Sequence, residues 1–300
     1  MTKVLGGVIA PVVTTFDDAT GELAAVPFRS NIRAHLDAGL AGIVVSGSTG
    51  EAALLEEHER HRLLEWSRAL VPDDRWLIAG IGAESTRLTI RRAKDAAERG
   101  ADAALAVAPH YYGAQMTPEA LATHFRRAAD ESPLPIILYN IPKYTHFSLA
   151  PGLVQELASH ENVIGVKDSS GDLAQLGAYL NAQSDRFTVL TGSGGTLYAA
   201  LEMGARGGIL AVGLFAAPLS VSLCRAFASG DLAAAGRAQE RLTPLARVIV
   251  GELGVPGVKA AMDSVGLTGG PVRAPLLPLR TAAMERVAEQ LRAAGLARAA

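Results

Sequence analysis

The sequence is short of the residues that mark secreted, membrane-spanning and nucleic-acid-binding proteins. Its 300 residues include one cysteine, Cys224, which cannot form an intrachain disulfide and is expected to be an inert buried thiol. No apolar run approaches the roughly 18 residues of a membrane span. The formal net charge of −2 gives no basic surface for nucleic acid or an anionic membrane. We therefore expect a cytoplasmic protein that binds neither nucleic acid nor membranes.

Lysine is scarce as well, and one of the five lysines has an unusual position. Lys167 closes the apolar run 163–166, which reads as a buried strand. A strand buried on both faces disfavours an ammonium and favours a neutral, nucleophilic amine, as in Schiff-base enzymes. The alternative is a lysine whose stem packs while its head reaches solvent. Lys259, in a predicted C-terminal helix, is interpreted in this second way.

The hydrophobic pattern predicts a single α/β architecture. Eight short apolar runs are each followed by a helical pattern, which favours a parallel (β/α)8 TIM barrel. We assign residues 1–230 to this barrel and residues 231–300 to a C-terminal helical extension packed on it. The predicted strands are 7–16, 42–47, 76–82, 103–109, 135–140, 163–169, 187–192 and 207–212.

Polar residues fall where several predicted strands end. Active sites of such barrels gather at the carboxyl ends of the strands, so these side chains are expected to converge on one mouth. Their convergence makes the nucleophile interpretation of the lysine the stronger one. The residues are Ser48, Thr49, Tyr111, Tyr112, Tyr139, Asn140 and Lys167.

Strand alternation separates the neighbours of the lysine. Side chains two residues apart share a face, which groups Lys167 with Gly165 and Ser169 and places Val166 and Asp168 on the opposite face. We therefore predict that Ser169 shares the pocket with Lys167 and that Asp168 does not.

Three motifs carry a family resemblance. They are Gly47-Ser48-Thr49-Gly50-Glu51, Leu138-Tyr139-Asn140 followed by Pro142, and Gly165-Val166-Lys167-Asp168. In this order and spacing they resemble the dihydrodipicolinate synthase and N-acetylneuraminate lyase family, over residues 7–291. The resemblance implies a TIM barrel with a helical C-terminal part, usually a homotetramer (a dimer of dimers). It also implies a lysine that forms an imine with pyruvate or another 2-oxo acid, without a cofactor or metal.

The resemblance also implies roles for individual residues. Lys167 matches the imine-forming nucleophile and Tyr139 the phenol that moves protons at the reacting carbons. Ser48 matches a hydroxyl of the proton relay, and Tyr111 a tyrosine lent to the neighbouring subunit's site. Thr49 and Gly47 belong to the turn that would hold the 2-oxo acid carboxylate through amides and hydroxyls, and Ile209 would line the pocket through its backbone.

The identity of the substrate depends on one position. The synthases of the family carry an arginine shortly after the tyrosine-asparagine motif, where it holds the second substrate's carboxylate. This chain has Tyr144 there, next to Lys143, which could replace that arginine or simply be solvated. Three stretches resemble 4-hydroxy-2-oxoglutarate aldolases and related 2-oxo acid lyases: 100–104, 167–169 with 171–172, and 269–275. The last of these is expected to be structural.

We therefore favour an aldolase that cleaves a 4-hydroxy-2-oxo acid to pyruvate and an aldehyde. The alternative is a synthase that condenses pyruvate with aspartate semialdehyde. A sensor that binds a 2-oxo acid without turnover is disfavoured by the joint presence of Lys167, Tyr139 and Ser48. A metal-dependent aldolase is disfavoured because the sequence has no convincing ligand cluster.

Overall fold

Eight parallel strands close into a barrel in the computed structural model, which describes residues 3–296. Each strand pairs with the next along the chain, and β1 pairs with β8 to complete the circle. The TIM barrel predicted from the sequence is therefore confirmed. The strands are β1 (Gly7–Pro11), β2 (Gly42–Val45), β3 (Trp76–Gly80), β4 (Ala103–Val107), β5 (Ile136–Asn140), β6 (Val163–Asp168), β7 (Thr188–Thr191) and β8 (Gly207–Ile209).

Helices surround the barrel and form the C-terminal extension. Local signals set several of their ends: the Thr117 hydroxyl accepts a hydrogen bond from the Ala120 amide, and Pro118 follows it as the first helical residue. The helices are α1 (Ala25–Asp37), α2 (Glu57–Arg68), α3 (Thr86–Glu98), α4 (Pro118–Glu131), α5 (Pro142–Thr145), α6 (Pro151–Leu157), α7 (Leu173–Leu180), α8 (Leu197–Glu202), α9 (Ala217–Ala228), α10 (Leu232–Pro244), α11 (Gly254–Val265) and α12 (Thr281–Ala293).

Six of the eight predicted strands begin where the real strands begin, and seven of the eight run too far at their carboxyl ends. The first was predicted to continue to Phe16, whereas β1 ends at Pro11 and Phe16 forms an isolated bridge with Leu23. Residues 12–16 lie beyond the strand, and the apolar ones among them, Val12, Val13 and Phe16, are nevertheless buried. Apolar periodicity reports burial, and burial continues past the last ladder hydrogen bond.

Alternate side chains of the strands fill two separate layers of core. In β1, Ile9 belongs to the cluster inside the barrel, whereas Val8 and Ala10 belong to the layer between the barrel and its helices. In β6, Val166 belongs to the outer layer. The period of two along a strand therefore turns Lys167, the next residue, toward the barrel interior.

The C-terminal extension crosses the carboxyl end of the barrel. After α10 packs on α9, the chain continues through a π-helical segment, Leu245–Glu252. Leu245, Val248 and Ile249 of this segment are buried, and its other face borders the cavity described below. The sequence pattern predicted helix in this region but not its place over the barrel mouth.

Lys259 corrects an expectation from the sequence. Its side chain is only 2% exposed, so its ammonium does not reach solvent. The Nζ lies 2.5 Å from the carboxylate of Glu51, which is itself fully buried, and donates to the carbonyl of Pro271 at 2.6 Å. The residues around Lys259 in the sequence do not indicate this partner, because Glu51 lies far away in the sequence, in the turn after β2. This buried ion pair ties α11 to the motif that follows β2.

The stretch 269–275 has the structural role that the sequence suggested. Both carboxylate oxygens of Glu59 accept hydrogen bonds from the Arg273 guanidinium, at 2.6 and 2.7 Å. The Arg273 amide also donates to Glu51 at 2.7 Å. The C-terminal part is thus bonded to the turn after β2 and to the start of α2.

Replacing Lys259 with methionine is expected to lower the free energy of unfolding by about 3–5 kcal/mol, because the Glu51 carboxylate would stay buried without its partner. Urea denaturation of the wild type and the variant measures the difference. Lys94→Met is the matched control: Lys94 is exposed and pairs with Glu131 at 3.7 Å, so it should cost less than about 1 kcal/mol. Equal losses in the two variants would contradict a tightly coupled buried pair.

Two buried histidines predict a loss of stability in acid. Burial lowers the pKa of His35 and of His124 to about 4, since neither imidazolium could be solvated. The unfolded chain takes up these protons near pH 6.5, whereas the native state excludes them until about pH 4. Stability is therefore full above pH 6.5 and falls as the pH drops to about 4, by up to roughly 3 kcal/mol for each histidine.

Urea midpoints measured between pH 7 and pH 4 test this expectation. His124→Gln should flatten the decline, because glutamine can replace the bond between the histidine ring and the Thr86 hydroxyl (2.8 Å) without titrating. His58→Gln, at an exposed position of α2, should leave the decline unchanged. The same slope in His124→Gln as in the wild type would contradict the assignment.

Candidate active site

Lys167 and Tyr139 lie side by side inside the barrel. They are paired residues in the ladder between β5 and β6, and both strands turn these positions inward. The Lys167 Nζ lies 4.1 Å from the centroid of the Tyr139 ring. The amine and the phenol predicted as catalytic partners are therefore brought together by strand register.

Lys167 is buried without a counter-charge. Its exposure is 4%, and Tyr139 beside it is 5% exposed. Among residues 3–296, no carboxylate lies within ion-pair distance of the Lys167 Nζ and no acceptor within hydrogen-bond distance. A buried amine that is not held by a carboxylate or another acceptor is free to attack a substrate carbonyl, as a Schiff-base nucleophile must. The solvated lysine considered as the alternative is wrong.

A cavity of about 500 Å³ opens over these two residues, within the size range of small-molecule sites. Its walls include loops after several strands and the π-helical segment of the C-terminal extension. Six of the residues predicted from the sequence line it: Ser48, Thr49, Tyr139, Lys167, Ser169 and Ile209.

The other four residues expected at the mouth do not line this cavity: Gly47, Tyr111, Tyr112 and Asn140, the last of which is buried and bonded to Asp168. Gly47 lies just before it, where its carbonyl accepts hydrogen bonds from the amides of Gly50 and Ala52. Tyr111 is 77% exposed and stacks edge-on against Tyr112, with 5.1 Å between ring centroids. Within one chain, Tyr111 therefore has no contact with the site.

The turn after β2 presents unused donors to the cavity. Its far side is fixed because the buried Thr14 hydroxyl donates to the Gly50 carbonyl at 2.7 Å. The amides of Ser48 and Thr49 donate to no acceptor in the part of the chain that the structure describes. Two free amides next to two hydroxyls form a site that suits a carboxylate.

Asp168 points away from the cavity, as strand alternation predicted. Its carboxylate accepts hydrogen bonds from the Asn140 side chain at 2.7 Å and from the Ser170 hydroxyl at 2.8 Å. The side-chain oxygen (Oδ1) of Asn140 in turn accepts a hydrogen bond from the Leu149 amide at 2.9 Å. Burial raises the pKa of Asp168. This network fixes the ends of β5 and β6, and with them the positions of Tyr139 and Lys167.

The loop after β7 approaches the lysine closely. A side chain at Gly192 would put a Cβ 1.9 Å from the Ser169 Oγ and 3.0 Å from the Lys167 Cε. Glycine is therefore required where this backbone passes over the lysine. The turn 192–196 lines the cavity.

The mouth of the cavity holds Tyr144 and Lys143, which follow the tyrosine-asparagine motif, and a third residue, Arg247. Tyr144 lines it, and burial together with the nearby Tyr139 raises the pKa of its phenol. Lys143 is exposed and donates to the Gly251 carbonyl at 2.7 Å. Arg247, on the π-helical segment, was missed entirely. No local pattern marked it, because its position depends on how the extension packs.

Three further features concern membrane-spanning helices, metal sites and the single cysteine. No helix within residues 3–296 is long and apolar enough to cross a membrane. In the same residues, no group of three or more His, Cys, Asp or Glu side chains is arranged to hold a metal ion. Burial raises the pKa of the Cys224 thiol to about 11, which fits the inert thiol expected from the sequence.

A buried amine beside a phenol, at the carboxyl ends of the strands of a TIM barrel, defines a class I aldolase, an enzyme that acts through a lysine Schiff base. The comparisons with known proteins give the family. The sequence model of the Dihydrodipicolinate synthetase family matches residues 4–294. The chain belongs to this family, as its three motifs indicated.

Curated relatives match over nearly the whole chain. A 4-hydroxy-tetrahydrodipicolinate synthase from Methanoculleus marisnigri is 35% identical over 95% of this chain and 98% of its own length. One from Methanothrix thermoacetophila is 34% identical over 91% of each chain. Among solved structures, YagE, a prophage protein of the dihydrodipicolinic acid synthase family from E. coli K12, has a TM-score of 0.92. That structure, a complex with pyruvate, is 30% identical and covers 98% of this chain and 99% of its own.

Proposed function

We propose that this enzyme forms or breaks the bond between pyruvate C3 and an aldehyde carbon, with the substrate held as an imine on Lys167. The observation that carries the proposal is the buried Lys167 Nζ, without a carboxylate partner, 4.1 Å from the Tyr139 ring centroid. Ser48 and Thr49 supply amides and hydroxyls for the 2-oxo acid carboxylate. Ser169 and the backbone of Ile209 complete the wall around it.

The chemistry follows from these positions. The Lys167 amine attacks the C2 carbonyl, water leaves, and a cationic iminium forms against the electron-rich face of Tyr139. In cleavage, the Tyr139 oxygen accepts the proton of the 4-hydroxyl and passes its own proton to the Ser48 hydroxyl, while the C3–C4 bond breaks. The electrons of that bond enter the iminium to give an enamine, and the aldehyde departs. Protonation at C3 and hydrolysis then release pyruvate and the free lysine.

Condensation is the same sequence in reverse, and the comparisons favour it. The relatives named above are synthases of 4-hydroxy-tetrahydrodipicolinate, which supports condensation of pyruvate with aspartate semialdehyde. Tyr144 supports the other candidate, cleavage of a 4-hydroxy-2-oxo acid, which its position in the sequence favoured. It borders the cavity with a phenol that offers no positive charge to a second carboxylate.

Two assays separate these candidates. Purified enzyme is given pyruvate with aspartate semialdehyde, and separately 4-hydroxy-2-oxoglutarate, with Lys167→Ala as the blank in each. A kcat/KM at least about tenfold higher for condensation would assign the synthase, and the opposite ratio the lyase. Turnover of neither compound would contradict both substrate assignments.

We also propose the homotetramer, a dimer of dimers, in which Tyr111 approaches the site of a partner subunit. Tyr111 and Tyr112 form an exposed aromatic pair next to the carboxyl end of β4. Exposed aromatic clusters of this kind favour protein contacts. Sedimentation of the purified enzyme, which distinguishes one chain from four, tests the assembly.

A further inference from the structure

The cavity over Lys167 is lined by more positive than negative side chains. Besides the lysine itself, its lining includes Lys143, Arg247 and a single carboxylate, that of Glu252. Glu252 is already paired with the guanidinium of Arg286. The Lys143 ammonium is bonded to the Gly251 carbonyl. Arg247 has no ion-pair or hydrogen-bond partner within residues 3–296.

The backbone that carries Arg247 is firmly held. Leu245, Val248 and Ile249 of the same π-helical segment are buried, so the exposed Arg247 lies on the opposite face, which borders the cavity. Just before the segment, the Gln239 side chain donates to the carbonyls of Gly194 and Gly195, at 3.0 and 3.1 Å. The segment is thereby joined to the loop after β7. π-Helical turns within helices are frequent at functional sites.

The cavity also leaves room beyond the 2-oxo acid. Its volume of about 500 Å³ is that of some fifteen water molecules, several times the size of pyruvate. Lys167, Ser48 and Thr49 would bind the 2-oxo acid end of the substrate. The space beside the π-helical segment is left for the part derived from the aldehyde.

We propose that Arg247 binds a second anionic group, a carboxylate or a phosphate, at the end of the substrate remote from the 2-oxo carbon. This inference rests on the proposed function and adds to it the residue that binds the negative charge of the acceptor aldehyde. A guanidinium can bind either oxyanion through two parallel hydrogen bonds, which the phenol of Tyr144 cannot do. Arg247 would supply the charge that is missing at position 144, so the tyrosine there does not exclude a dicarboxylate product.

The test compares acceptors that differ mainly in charge. Condensation with pyruvate is measured for glyoxylate against glycolaldehyde, for glyceraldehyde 3-phosphate against glyceraldehyde, and for aspartate semialdehyde. Arg247→Gln is expected to raise the KM for the preferred charged acceptor about 10- to 100-fold. The neutral acceptors should change less than about threefold, and Arg247→Lys should recover part of the loss. The two matched pairs distinguish a carboxylate from a phosphate.

Two controls keep the interpretation specific. Arg237→Gln removes an exposed arginine of α10 that does not line the cavity, and it should behave as the wild type. The KM for pyruvate and the borohydride trapping of pyruvate on Lys167 should be the same in Arg247→Gln and in the wild type.

An equal change for charged and neutral acceptors, or no change for either, would overturn the role of Arg247. Intact trapping on Lys167 would in that case leave the proposed function standing. Absence of trapping in the wild type would instead overturn the proposed function, and the role of Arg247 with it.

Discussion

Lys167→Arg is expected to abolish turnover, with kcat reduced by at least about 10⁴-fold. The substitution keeps a positive charge and a long stem, but a guanidinium does not form an imine with a ketone. The loss follows from covalent chemistry and not from electrostatics, because the Lys167 Nζ has no ion-pair partner among the described residues. The measurement is steady-state condensation and cleavage, together with borohydride trapping of pyruvate.

The control is Lys94→Arg, the same change at an exposed position on α3, which should retain full activity. Circular dichroism and a urea midpoint near that of the wild type would show that Lys167→Arg is folded. Retention of more than about 1% of kcat in the folded variant would contradict a lysine imine.

Tyr139→Phe is expected to lower kcat by about 10²- to 10⁴-fold, the usual contribution of a positioned general acid or base. The ring that covers the Lys167 Nζ at 4.1 Å is kept, so the iminium should still form. The substitution removes only the phenol hydroxyl, which transfers the proton at the substrate hydroxyl. The variant should therefore trap pyruvate on Lys167 with borohydride while it fails to turn over.

This combination separates proton transfer from nucleophilic attack. The Tyr139 hydroxyl has no hydrogen-bond partner among residues 3–296, so its removal should cost little stability, and the urea midpoint serves as the check. A loss of less than about tenfold in kcat would mean that another group moves the proton. A loss of trapping as well would mean that Tyr139 acts before the imine forms.

The barrel could be predicted because each of its strands and helices is indicated by the residues within that element. Each strand is a short apolar run followed by a helical pattern, and the connections of a parallel barrel follow chain order. Lys167 and Tyr139 could be predicted for the same reason. Both stand at strand ends, and ladder register then places them side by side.

The features that could not be predicted depend on contacts between distant segments. Lys259 was interpreted as partly solvated because nothing near it in sequence announces Glu51, its buried partner. Arg247 was missed because it faces the cavity only when the extension packs across the barrel mouth. The lengths of the strands were overestimated because loop residues such as Phe16 are as apolar and as buried as strand residues.

The preference for cleavage depended on the tyrosine at position 144, together with stretches that resemble 4-hydroxy-2-oxoglutarate aldolases. Tyr144 lacks the charge that binds a second carboxylate, but the folded chain brings Arg247 to the same cavity from the C-terminal extension. A missing charge at one position can be replaced by a side chain on another element, provided that both face the same space. The relatives and the position of Arg247 therefore support the proposal that the acceptor aldehyde carries a carboxylate.

The central claim is that the Lys167 amine attacks pyruvate. The most direct test is reduction with borohydride in the presence of pyruvate, followed by peptide mass mapping of all five lysines. We predict one reduced pyruvate per chain, attached at Lys167 and absent when pyruvate is omitted. An unmodified Lys167, or modification only at exposed lysines such as Lys94 and Lys143, would contradict it.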